Sequence, residues 1–274
     1  MKLVLFQGGG SKPSYGVLNS DNVVPFDALT GESPQDQLQQ LIEHFDALRE
    51  RLDRPAIPLS EVRLLPPVPW PGKIVVTTAT YGGAPSEAPL LATLKSAESV
   101  IGPGDTVRLP AVDQSWQFVP QAMLGLVIRG PAKDVPAAGW QRAVFGYTCI
   151  IDVMARGDQQ FGRDYWLAKA DTLGPLGPCI VTVDELPDPM ALHVRSRQNG
   201  AAAQDYAIAD ASHSIGEQVA FVTTVMTLHS GDVLACGTAR EGQQPLGDGD
   251  QVEVEIDAIG MLSVTVGAMV GSAA

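Results

Sequence analysis

Gly146-Tyr147-Thr148-Cys149-Ile150-Ile151-Asp152-Val153-Met154-Ala155-Arg156 is an apolar run broken by a single carboxylate. It reads as a strand over Cys149–Met154. An isolated charge inside such a run is too costly to bury, so Asp152 must be ion-paired, hydrogen-bonded or metal-bound. Arg156, four residues on, is one available partner.

Outward from this run the chain is rich in strand signals. Candidate strands lie at Lys73–Thr78, Thr106–Leu109, Met123–Arg129, Ile180–Val183, Ala191–Ser196, Val233–Ala235, Val252–Ile256 and Met261–Val266. Near the N-terminus Lys2–Phe6 and Gly16–Phe26 alternate, with Asn19-Ser20-Asp21-Asn22 as a turn signal. Helices are fewer. Ser33-Pro34 caps a helix whose apolar positions Leu38, Leu41, Ile42, Phe45, Leu48 and Leu52 recur at helical spacing. Pro136–Val144 and Ser214–Val225 are the other helical stretches. The proline-rich segment Pro55–Gly72 reads as an extended connector. It divides a small N-terminal domain with its connector, residues 1–70, from a main domain, residues 71–274. Strand richness without regular strand–helix alternation predicts an α+β fold and argues against a doubly wound sheet.

The chain has 274 residues, 45% of them hydrophobic, enough for a substantial core without disulfides or structural metal. Its net charge of −13 argues against nucleic acid as a partner. An anionic small molecule needs only two or three local cations and stays open. No apolar run approaches the roughly 18–20 residues of a membrane span, and Met1–Phe6 turns to Gln7 and Gly8 too early for a signal peptide. Cys149, Cys179 and Cys236 have no metal-ligand spacing and read as buried thiols, which predicts a cytoplasmic protein.

Few motifs carry chemistry by themselves. Gly8-Gly9-Gly10-Ser11-Lys12 has the wrong order and spacing for a phosphate loop and reads as a hairpin loop. His44 and His193 read as structural, and there is no nucleophile elbow. Lysine is scarce, so Lys73, Lys95 and Lys169 stand out. Lys169 lies in the apolar stretch Trp166-Leu167-Ala168-Lys169-Ala170-Asp171 and is either a solvated surface residue or a functional cation.

The order of segments resembles the fumarylacetoacetate hydrolase family over nearly the whole chain. The residues that carry the resemblance begin with Lys73-Ile74-Val75-Val76, Gly102-Pro103-Gly104-Asp105 and Leu126-Val127-Ile128. Gly146-Tyr147-Thr148 through Arg156, Lys169 through Pro178, and Gln198-Asn199-Gly200 with Gln204-Asp205 follow. Thr227-Leu228, Gly231-Asp232-Val233, Gly237-Thr238 and Gly249-Asp250 through Leu262 complete the series. The resemblance implies a mixed β-sheet roll with a small N-terminal domain, a homodimer, and chemistry on keto acids or 1,3-dicarbonyl compounds through an enolate. In that family a divalent ion, usually magnesium, held by two Glu and one Asp, stabilises the enolate.

This chain departs from that pattern. Gln121 and Met123 stand at the two Glu positions, and only Asp152 remains as a metal ligand if a metal binds at all. In the loop after the Lys73 strand, Ala84 stands at the usual His position and Glu87 at the usual Glu position. Arg156, Lys169 and Thr238 fall on positions that contact the substrate, as do Lys95 and Gln204. His213 stands where the family has an aromatic residue; it is either a proton-transfer group or a packing replacement. Three readings follow. The first is an enzyme that uses no cofactor, binds its substrate through Lys95, Arg156, Gln204 and Thr238, and draws catalytic groups from Glu87, Asp152, Lys169 and His213. The second is an inactive paralogue serving as a binding or assembly subunit, with Asp152 neutralised by Lys169 and Arg156. The third is an enzyme that still holds magnesium or manganese weakly.

Overall fold

The computed structural model describes residues 1–27, 29–52, 54–78, 80–82, 89–112, 115–157 and 163–267. In chain order the strands are β1 (Lys2–Gly8), β2 (Ser14–Asn19), β3 (Asn22–Pro25), β4 (Ile57–Pro58), β5 (Val62–Leu65), β6 (Ile74–Thr78), β7 (Leu91–Lys95), β8 (Val100–Ile101) and β9 (Thr106–Arg108). They continue as β10 (Gln117–Ile128), β11 (Val144–Arg156), β12 (Gly174–Thr182), β13 (His193–Gln198), β14 (Ala201–Ala207), β15 (Val233–Ala235), β16 (Gln251–Ile256) and β17 (Gly260–Gly267). The α-helices are α1 (Pro34–Glu43), α2 (Phe45–Leu48), α3 (Arg163–Leu167) and α4 (Ile215–Val225).

Among the described residues the strands form two sheets. The larger runs β4-β3-β2-β1-β12-β11-β10-β15-β6-β7, with β5 also paired to β1 and β8 to β12. The smaller runs β14-β13-β16-β17-β9. Both are mixed, since β15 pairs with β6 and β17 with β9 in parallel. The fold is therefore strand-rich with few helices, as the sequence predicts.

The centre of the large sheet is the antiparallel pair β10–β11, in register from Gln117 opposite Arg156 to Val127 opposite Gly146, with a shift before Ile128 opposite Val144. Both of its faces are covered, which explains the near-continuous apolar runs in these two strands. Leu124, Leu126, Ile151 and Val153 belong to the core shared with the smaller sheet. Met123, Val127 and Ile150 face the opposite core, which Leu38, Leu41, Ile42, Phe45 and Leu48 of α1 and α2 help to close. Each side chain so buried contributes roughly 1.5–3 kcal/mol.

The single helix expected through Leu52 is broken at His44 (φ −120°, ψ 23°). The break lets Phe45 meet Phe145 edge-on at 5.2 Å and places Arg49 over the Phe45 ring. The proline-rich connector is also more structured than expected, because Val62–Leu65 pairs with β1. The Gly8–Lys12 segment closes the β1–β2 turn, with the Ser11 hydroxyl donating to the Gly8 carbonyl at 2.6 Å. Lys73 is tied down by the buried Asp232, which accepts from the Lys73 amide at 2.8 Å, the His229 amide at 2.8 Å and Lys73 Nζ at 3.3 Å. The three cysteines are buried and unbridged. No helix among the described residues is long and apolar enough to cross a membrane.

α4 begins in a capping box: the Ser214 hydroxyl accepts from the Glu217 amide and the Glu217 carboxylate accepts from the Ser214 amide. Ser214→Ala should cost about 1 kcal/mol in chemical denaturation. The Ser214 backbone amide, and then its hydroxyl, hold the Glu217 carboxyl below its ordinary range. The associated stability is therefore present above the unfolded-state pKa and lost as pH falls through the folded-state value. Glu217→Gln should flatten that part of the acid stability curve. An acid limb identical to wild type would show that the box contributes nothing.

A candidate active site at the end of the long hairpin

The site lies where β15 leaves β10. Their pairing covers only Gly125–Val127. The Cys236 amide then donates to the Leu124 carbonyl at 2.9 Å, and Gly237, at φ 72°, turns the chain away. Buried backbone groups still need partners. The second sheet supplies them: the Ala122 amide donates to Gln204 Oε1 at 3.0 Å, and the Tyr206 hydroxyl donates to the Ala122 carbonyl at 2.6 Å. Gln204 Nε2 donates to Thr238 Oγ1 at 2.9 Å and to the Ala239 carbonyl at 2.6 Å. The whole carboxamide is thus engaged within the protein: Gln204, expected to contact substrate, braces β10 and positions Thr238. Tyr81 packs edge-on against Tyr206 at 4.8 Å. Burial pushes both phenols well above their ordinary range, an effect partly opposed at Tyr206 by its hydrogen bond with Thr238.

Asp152 sits on β11 directly opposite Gln121 of β10, and Ile150 opposite Met123. The Asp152 side chain is 2% exposed, and its ion-pair partner is Lys95, at the end of β7, with Nζ 2.6 Å from Oδ1. The other Nζ hydrogen bonds go to the carbonyls of Ala168 at 2.8 Å and Val153 at 3.3 Å. A lysine ammonium has three protons to donate, and all three are used here. Asp152 thus pairs with Lys95 rather than with Arg156 or Lys169, and Lys95, expected as a substrate cation, is engaged within the protein. Edge strand β7 brings in a lysine whose stem passes Gly174, where a Cβ would lie 3.3 Å from Lys95 Cε and 2.6 Å from Ser99 Oγ. Among the described residues Asp152 Oδ2 is buried without a hydrogen-bond partner.

The donor chemistry at this spot is one carboxylate already paired to an ammonium, one carboxamide, and a thioether. Met123 is 1% exposed and packs in the same apolar core as Ile150 and Leu176. Hard divalent cations take charged oxygen donors and are poorly served by a thioether, so this set does not fit one. Among the described residues no group of three or more His, Cys, Asp or Glu could hold a metal ion.

The remaining candidates are dispersed. Lys169 follows α3, its amide donating to the Trp166 carbonyl. It is half-buried and lines an open cleft of about 770 Å³ with Ser96, Arg108, Trp166, Asp171 and Thr172. Burial, and then the positive charge of Lys95, hold its ammonium below the usual lysine range, with Asp152 opposing. Arg156 is exposed and donates to Gln243 Oε1; Gln243 in turn approaches Gln121 at 3.5 Å. Gln204 and Gln243 border a space of only about 10 Å³, no more than a single water needs. Of Arg156, Lys169 and Thr238, only Lys169 lines the large cleft. His213 precedes the cap of α4, and its carbonyl accepts from Gln218 at 2.9 Å. Glu87, like Ala84, lies outside the described residues. Sequence reasoning missed Gln243, Tyr206 and Tyr81. The Lys95–Asp152 pairing was also missed, because 57 residues separate the partners.

Comparison with known proteins places this architecture. A family model described as fumarylacetoacetate (FAA) hydrolase C-terminal matches residues 77–267, and one described as Rv2993c-like, N-terminal matches residues 1–67. The chain belongs to the fumarylacetoacetate hydrolase family. It is 32% identical over 279 residues to maleylpyruvate hydrolase of Aquipseudomonas alcaligenes, covering 92% of this chain and 95% of that one. It is 32% identical over 223 residues to the mitochondrial oxaloacetate tautomerase FAHD2B of Homo sapiens, covering 76% and 70%. Its fold superposes with a TM-score of 0.86 and 32% identity on maleylpyruvate hydrolase from Sphingobium sp. SYK-6, solved in complex with manganese(II) ion and pyruvate, over 98% of this chain and all of that one.

Proposed function

We propose that this chain is an enzyme of keto-acid chemistry in which its own cations, rather than a divalent metal, offset the charge of an enolate-like intermediate. The observation that carries this reading is the Lys95–Asp152 pair with Lys169 beside it on an open cleft. The relatives support the substrate class: one hydrolyses maleylpyruvate, one tautomerises oxaloacetate, and one was solved with pyruvate. All three compounds are 2-keto acids, and C–C cleavage or tautomerisation adjacent to the ketone develops negative charge on the ketone oxygen. Preorganised cations in a partly desolvated site stabilise that charge without reorganisation. Lys169 is the group placed to do so. Thr238 and Arg156 lie on the Gln204–Gln243 side and do not line this cleft.

The test is calorimetric titration of metal-stripped protein with oxalate, a mimic of the pyruvate enolate, with and without magnesium or manganese. The expected result is binding that is indifferent to metal and weakened about 10–100-fold by Lys169→Ala, the loss of one charge-assisted hydrogen bond. Binding that requires metal would overturn the metal-free reading. A second reading, a non-catalytic subunit, draws on the near-closure of the space at Gln204 and Gln243; absence of oxalate binding in every condition would favour it.

A further inference from the structure

We infer that Lys169 is a covalent catalytic residue: its amine condenses with the C2 ketone of a 2-keto acid, and the resulting iminium supplies the electron sink of the reaction. This inference rests on the keto-acid reading above and deepens it. Four observations converge on Lys169. It lines the open cleft, so its nitrogen is reachable by a small molecule. Among the described residues no hydrogen bond or ion pair engages its ammonium, whereas all three Lys95 protons are used. Lys95 donates to the carbonyl of Ala168, the residue immediately before Lys169, which fixes a second positive charge beside it in a half-buried setting. A desolvated lysine next to another cation is favoured as the neutral, nucleophilic amine. Finally, among the described residues Asp152 keeps a buried acceptor, Oδ2, without a partner, and its charge reaches Lys169. That negative charge favours the cationic iminium over the neutral carbinolamine.

The chemistry balances without a co-reactant other than water. The Lys169 nitrogen lone pair forms a bond to C2, and the ketone π pair moves to oxygen, which takes a proton to give a carbinolamine. Its hydroxyl leaves with a proton as water, giving the iminium. Loss of a proton from C3, or of a C3 carboxylate as carbon dioxide, then places the bonding pair in a C2=C3 enamine, neutralising the iminium nitrogen. Protonation at C3 and addition of water release the product and restore the amine. Decarboxylation at C3 is served by this intermediate, whereas loss and return of a C3 proton exchanges that hydrogen with water.

The experiment incubates metal-stripped full-length protein with pyruvate and cyanoborohydride, which reduces iminium ions, followed by peptide mass mapping. The expected product is a peptide containing residue 169 that gains the mass of pyruvate less one oxygen atom. The label should be suppressed by oxalate, and it should fall to the level of the unfolded protein in Lys169→Arg. That variant keeps the charge, and its oxalate affinity reports that the site is intact. Because oxalate is of pyruvate's size, oxalate binding without any label at Lys169 overturns the Schiff-base inference and leaves the keto-acid reading standing. Label distributed equally over surface lysines, or insensitive to oxalate, also overturns it. Absence of both oxalate binding and label means that the keto-acid reading has failed, and the inference with it.

Discussion

Lys95→Met should destabilise the protein by about 3–5 kcal/mol, because it strands a buried carboxylate. Asp152 is 2% exposed, Lys95 is its ion-pair partner, and among the described residues nothing donates to Oδ2. A loss of this size is a large share of the roughly 5–15 kcal/mol by which domains are usually stable. The double variant Lys95→Met with Asp152→Leu removes both charges together, and replacing a buried ion pair by apolar groups is often neutral or better. It should recover most of the loss. The carbonyls of Val153 and Ala168 would still lack their donor, at a residual cost of about 1 kcal/mol each. Chemical denaturation of the two single variants and the double variant reads this directly. A Lys95→Met protein within about 1 kcal/mol of wild type would show that Asp152 is neutral or solvated, and the cation-based account of the site would fall.

The second large effect is expected at Gly237→Ala. The backbone there has φ 72°, and a Cβ would sit 1.8 Å from Thr80 Oγ1 and 2.9 Å from Thr80 Cβ. The left-handed conformation alone costs a non-glycine residue roughly 1–2 kcal/mol, and forcing an extra carbon into a packed contact adds about 1–3 kcal/mol. The strain falls on the turn that carries Thr238, and so on Gln204 and the Ala122 hydrogen bond. Stability should therefore fall. Thr80→Ala in the same chain removes the 1.8 Å contact but not the backbone strain, and should recover part of the lost stability. A Gly237→Ala protein with unchanged stability would mean that the β15 turn is free to shift, and that the bracing of Ala122 does not hold the site open.

Chemistry within a few residues was readable from the chain. Ser214 and Glu217 form the cap that begins α4, and Asn199-Gly200, at φ 55° and 78°, form the turn between β13 and β14. The strands at Ile74–Thr78, Val233–Ala235 and Gln251–Ile256 follow from short apolar runs. β14 and β7 were not legible. Ala201–Ala207 has no apolar alternation, and Leu91 and Leu94 of β7 are largely exposed, so neither strand carries the usual burial pattern. The break of the first helix at His44 was equally hidden, because the apolar spacing continues through it while Phe45 turns to meet Phe145.

The same division runs through the candidate site. Burial within an apolar run is a local property, so that Asp152 requires a partner could be argued from eleven consecutive residues. Which residue answers it is a question of long-range geometry. Edge strand β7 brings Lys95 across 57 residues of sequence, and the stem passes at Gly174. The resemblance placed Gln121 and Met123 where carboxylates would stand. Tertiary packing then closed the apolar core around Met123, set Gln204 and Tyr206 to satisfy the strand that β15 abandons, and left Lys169 on open space beside a second cation. Composition and spacing constrain what each residue needs, whereas the partner that meets the need is chosen by which strands the topology makes adjacent.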